Sequence, residues 1–97
     1  MSSLKRSNMN ISFSSSALKY LHDVKKKNPK LAIKIQQKLA LFQDNPKHPS
    51  LRTHKLAGDL SNSWSISIEE NIRMLYYVKK DGIVFFLIGM HDEVYRK

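Results

Sequence analysis

The chain's clearest pattern is a strict alternation at Trp64-Ser65-Ile66-Ser67-Ile68, which puts Trp64, Ile66 and Ile68 on one face of a strand and the serines on the other. A second strand follows, in which Ile72, Met74, Tyr76 and Val78 share a face and Arg73, Leu75 and Tyr77 lie opposite. Matching the apolar faces sets Ile68 across from Ile72. The three-residue loop Glu69-Glu70-Asn71 then joins the strands, with Asn71 in the left-handed position such loops favour. This register places Ser67 opposite Arg73. A third strand, Ile83 to Met90, is apolar on both faces, which predicts an interior strand covered on both sides. Asp81-Gly82 is a strong hairpin signal for the turn that leads into it.

Upstream, the period changes. Asn10-Ile11-Ser12-Phe13 alternates as a short strand entering at a sheet edge, and Ser14, Ser15 and Ser16 offer N-caps. Ala17, Leu18, Leu21 and Val24 recur at helical spacing up to Lys25-Lys26-Lys27, where cations suit the negative end of the helix dipole. Asn28-Pro29 starts a second helix, carrying Leu31, Ala32, Ile35, Leu39 and Phe42 in one stripe. It stops at Asn45-Pro46. Between Lys47 and Ser63 apolar residues are sparse, so a loop is expected, with a short strand near Thr53 to Leu56. The fold class is α+β: an N-terminal strand and a helical hairpin packed on a mostly antiparallel sheet. Residues 1–8 are expected to form a flexible polar segment, and residues 9–97 a single domain.

A parity conflict arises in the last hairpin. With Asp81-Gly82 as a two-residue turn, Arg73 pairs with Met90 and His91 faces the helices. A bulge at Gly89 would return His91 to Arg73's side, and such a bulge, or an equivalent break, is expected.

Charge narrows the function. Seventeen Lys and Arg against eight Asp and Glu give a formal net charge of +9 on 97 residues. That balance favours a polyanionic partner such as nucleic acid, an anionic surface or an acidic protein. The simpler alternative is a solvated basic surface. No cysteine is present, which excludes disulfides and thiolate metal sites and fits a reducing compartment. The four histidines show no metal-like spacing, so no metal site is expected. No apolar run is long enough for a membrane helix, and the N-terminus lacks the apolar segment of a secretory signal.

The residues that stand out chemically are His54-Lys55-Leu56 with Gly58, Arg73-Met74-Leu75-Tyr76, and Gly89-Met90-His91-Asp92-Glu93-Val94-Tyr95. In this order, after two helices, they resemble the RelE/StbE and YafQ branch of bacterial toxins from toxin–antitoxin systems, over about Met9 to Tyr95. The resemblance implies a cytoplasmic, ribosome-dependent mRNA endonuclease without metal or other cofactor, held inactive by a cognate antitoxin. Such a nuclease directs a ribose 2′-hydroxyl onto the adjacent phosphate and leaves a 2′,3′-cyclic phosphate. It needs a base, a cation on the phosphate and an acid for the leaving oxygen. By position, His54 and His91 would be the acid and base, Arg73 the phosphate clamp, and Tyr95 a ring against a nucleotide. Arg52, Lys55, Ser67 and Asn71 are the accompanying RNA-contact positions.

This chain departs from the YafQ-like pattern in three places. Ser67 and Asn71 stand where that pattern has a histidine and an aspartate, and Leu87 where it has an arginine. The competing reading is therefore a ParE-like toxin that inhibits DNA gyrase, or a chain that only binds its antitoxin. Each residue also has a plainer role open to it. His54 reads as a surface histidine, Arg73 as an exposed ion-pair partner of Glu69 or Glu93, and Tyr95 as a lid on the sheet end.

Overall fold

The computed structural model describes residues 10–58 and 62–90. In chain order these form β1 (Ile11–Phe13), α1 (Ser15–Lys27), α2 (Pro29–Asp44), a 3-10 turn (Pro49–Leu51), β2 (His54–Lys55), β3 (Ser63–Glu69), β4 (Ile72–Lys79) and β5 (Gly82–Met90). One five-stranded sheet runs in the order β1-β5-β4-β3-β2. Only the β1–β5 pair is parallel. The α+β architecture read from the sequence is the one observed.

Both helices begin where side chains satisfy their first amides. The Ser14 hydroxyl accepts from the Ala17 N–H at 3.1 Å and donates to the Phe86 carbonyl at 2.9 Å, so one residue caps α1 and ties it to β5. Asn28 Oδ1 accepts from the Leu31 N–H at 3.2 Å, with Pro29 in the first turn of α2. The apolar stripe of α2 lands on the sheet. Phe42 is fully buried and meets Tyr76 and Phe85 edge-on, with centroids 5.1 and 5.5 Å apart. Ile66, Met74 and Phe85, all without exposed surface, make the centre of this core.

The last hairpin differs from the sequence reading in two ways. Lys79 pairs with Gly82, so Lys80 and Asp81 form the turn and Gly82 already belongs to β5. Gly82 is required for space rather than for a left-handed turn. A Cβ there would collide with the Asn10 carbonyl oxygen, and that oxygen accepts from the Ile83 N–H at 2.8 Å. The glycine thus admits β1 to the sheet. The bulge exists, but not at Gly89. Tyr76 pairs with Phe85 and Leu75 with Leu87, which leaves Phe86 as the extra residue. Beyond it, Met74 and Ile88 share the core face, and Arg73 stands opposite Gly89.

The β3–β4 connection is tighter than expected. Glu69 pairs with Ile72, so Glu70 and Asn71 form the turn and Ile68 is the extra residue between Ser67 and Glu69. Asn71 is not left-handed; among the described non-glycine residues only Arg52 has a positive φ. Ser67 does sit opposite Arg73, as the alternation required. β5 is interior, yet its second face is not fully covered: Ile83, Phe85, Ile88 and Gly89 are buried, whereas Val84, Phe86 and Leu87 are half-buried. No described helix is long and apolar enough to cross a membrane.

Candidate nucleic-acid interface

Alternation along β3 gives the sheet a second face, away from the helices, whose character is set by Ser63, Ser65 and Ser67, all buried. Arg73 projects from β4 onto this face. Its Nη1 donates to the Ser67 hydroxyl at 2.8 Å and to the Glu69 carbonyl at 3.3 Å. The Ser67 hydroxyl in turn donates to the same carbonyl at 3.2 Å. The bulge at Ile68 brings that carbonyl into reach, since it sets Glu69 opposite Ile72, beside Arg73, rather than in the turn.

The Glu69 carboxylate goes elsewhere, to Lys34 of α2 at 3.4 Å. Glu69 therefore holds Arg73 through its backbone and spends its negative charge on the helix. Arg73 forms no ion pair among the described residues, so its guanidinium is fixed in place and keeps its full charge, half-exposed. A positioned, unneutralised guanidinium is suited to a phosphate, whose oxygens match its fork of donors.

His54, on edge strand β2, pairs with Ser65, and its Nδ1 lies 3.5 Å from the Ser65 hydroxyl. Ser65 and Ser67 are on one side of β3, so His54 and Arg73 share the second face. Two strand spacings across and two residues along put their backbones about 12 Å apart. Beside them the face is apolar: Leu56 and Leu75 are buried and pack with Phe86 and Leu87. Leu87 thus extends a hydrophobic patch at the place where the resemblance expects an arginine.

The other expected RNA contacts separate. Ser67 belongs with Arg73. Lys55 pairs with Trp64 and lies on the opposite side of β2, its ammonium 5.6 Å from the Trp64 ring centroid. Arg52 follows the 3-10 turn in the left-handed conformation, φ 49° and ψ 45°, with its N–H donating to the Pro49 carbonyl at 3.1 Å. For a side chain other than glycine this costs about 1 kcal/mol or more. Asn71 sits exposed in the β3–β4 turn. His91 and Tyr95 lie outside the described residues.

Sequence reasoning missed one feature. Trp64 and Tyr76, read as core residues, also wall a cavity whose rim carries Lys47, Arg52, His54 and Lys55. The signal was available in the cross-strand neighbours Lys55 and Trp64, but only once their register was known. Burial pushes the Tyr76 hydroxyl's pKa above 10, so it remains a protonated donor at neutral pH. No cluster of three or more metal-binding side chains occurs among the described residues.

Solved structures share this fold. A YoeB/ParE toxin from Agrobacterium tumefaciens superposes with a TM-score of 0.76 at 18% identity, covering 86% of this chain and 99% of its own. YafQ in the E. coli DinJ-YafQ toxin-antitoxin complex gives 0.74 at 17% identity, covering 91% and 98%. The YoeB dimer from Staphylococcus aureus gives 0.70 at 24% identity, covering 87% and 98%. The chain has the RelE-like toxin fold. By sequence alone no family model and no curated protein matches it, so the RelE-like fold is recognised here through topology and register.

Proposed function

We propose that the protein is the toxin of a toxin–antitoxin pair and acts as a metal-independent endoribonuclease on ribosome-bound mRNA. The observation that carries this reading is Arg73, pinned by Ser67 and the Glu69 carbonyl with no carboxylate paired to it among the described residues. On this reading a scissile phosphate sits against Arg73, which stabilises the extra negative charge as the 2′-hydroxyl attacks. An O2′–P bond forms and the P–O5′ bond breaks. One histidine takes the proton from the 2′-hydroxyl and another returns a proton to the leaving O5′. His54 and His91 are the pair assigned these roles, since a neutral imidazole and its conjugate acid are both accessible near neutral pH. Tyr95 orients a neighbouring base, and Ser67 acts through Arg73. Asn71 contacts the RNA from the turn.

The +9 charge supports both proposed partners, mRNA and an acidic antitoxin segment, in the cytoplasm. One observation favours a second reading. The Leu56, Leu75, Phe86 and Leu87 patch occupies part of the face where a nuclease would carry another cation, which suits a toxin that binds a protein such as gyrase. Mapping mRNA ends in a translating extract tests the choice. Cuts within ribosome-occupied codons support the nuclease, whereas intact message with blocked supercoiling supports the gyrase reading and overturns it.

A further inference from the structure

The cavity on the helix side of β2 encloses about 520 Å³, within the size range of small-ligand sites. Its walls combine the Trp64 and Tyr76 rings with Lys47, Arg52 and Lys55, and among the described residues no acidic side chain lines it. One of these three cations, Arg52, is held in a left-handed backbone conformation in which a side chain is rarely placed. Lys55 is exposed and keeps its ammonium 5.6 Å from the indole centroid. Cations beside a partly exposed indole are what a single-stranded nucleotide requires: phosphate to the cations, base to the ring.

We infer that this cavity is a second RNA subsite, which takes a nucleotide flanking the one at Arg73. The strand crosses the edge of the sheet at β2 to reach it. Among the described strands β2 is the last on that side, and it is only two residues long. His54 stands at the crossing: it lines the cavity and also approaches Ser65 on the second face. Arg52 and Lys55 accordingly serve this subsite and not the phosphate at Arg73. The inference rests on RNA being the ligand, but not on the chain being cut.

The protein has one tryptophan, so Trp64 emission reports on the cavity directly. The probe is a short single-stranded RNA with 2′-O-methyl riboses, which cannot be cleaved. Titration is expected to quench Trp64 saturably. Arg52→Asn tolerates the left-handed backbone and Lys47→Gln lies on an exposed loop, so both variants should fold. Each is expected to weaken binding roughly five- to tenfold at low salt and to lower the log–log salt slope by about 0.7, the value for one single-strand phosphate contact. Wild-type affinity and slope in both variants, or quenching matched by inorganic phosphate alone, would overturn the subsite. RNA bound without any change at Trp64, or no RNA binding at all, overturns the subsite alone; the nuclease reading is tested separately by the mRNA ends mapped on ribosomes.

Discussion

Arg73 and Ser67 face each other across β4 and β3 and are joined by a 2.8 Å hydrogen bond, with the Glu69 carbonyl accepting from both. This three-membered arrangement depends on the bulge at Ile68. It converts a flexible cation into a positioned one while leaving its charge available. Ser67→Ala is expected to lower cleavage about tenfold, because a loosened guanidinium no longer meets the transition state in place. The loss of stability should be about 1 kcal/mol by urea unfolding.

Arg73→Lys separates charge from geometry. An ammonium can satisfy Ser67 or a phosphate but lacks the planar fork that reaches both. Single-turnover cleavage should fall nearly as far in Arg73→Lys as in Arg73→Gln, with both variants folded. Recovery of most of the activity by lysine would show that charge alone suffices.

Gly82→Ala tests why β1 belongs to the sheet. The added methyl meets the Asn10 backbone, which lies in the parallel pairing and cannot swing aside as a side chain would. The expected cost is about 1–3 kcal/mol. Urea unfolding measures it, and a neutral result would contradict the close approach.

Tyr76 makes a prediction about alkaline stability. Burial raises its pKa above the ordinary 10, so the unfolded chain loses the phenolic proton first. Its contribution is fully present below pH 10 and is lost as pH rises through the higher folded value. The stability difference between wild type and Tyr76→Phe should be constant up to about pH 10 and then shift in favour of Phe. Thermal melts across this range would show it.

Much of the fold was legible because burial enforces periodicity. Two helical stripes, the serine alternation of β3 and the Ser67–Arg73 register all follow from which residues avoid water. Turns were less legible. Asp81-Gly82 has the composition of a hairpin turn, but its glycine answers to Asn10, 72 positions away in the chain, which local pattern does not encode. The need for a bulge could be deduced from parity, whereas its place at Phe86 depended on packing across the sheet. At the site, residue types pointed to Arg73 and His54. The cavity at Trp64 was hidden because an aromatic in an alternating strand looks the same whether it faces core or a rim.

The central claim is that Arg73 stabilises a phosphate undergoing attack by its own 2′-hydroxyl. The most direct measurement is single-turnover cleavage of mRNA in purified ribosomal complexes by wild type and Arg73→Gln, with the upstream fragment's end analysed. The account predicts a 2′,3′-cyclic phosphate with wild type and a rate lower by about 10²- to 10³-fold in the variant, the scale for losing one group that stabilises the transition-state charge. Equal rates, or a 3′-hydroxyl end, would contradict it.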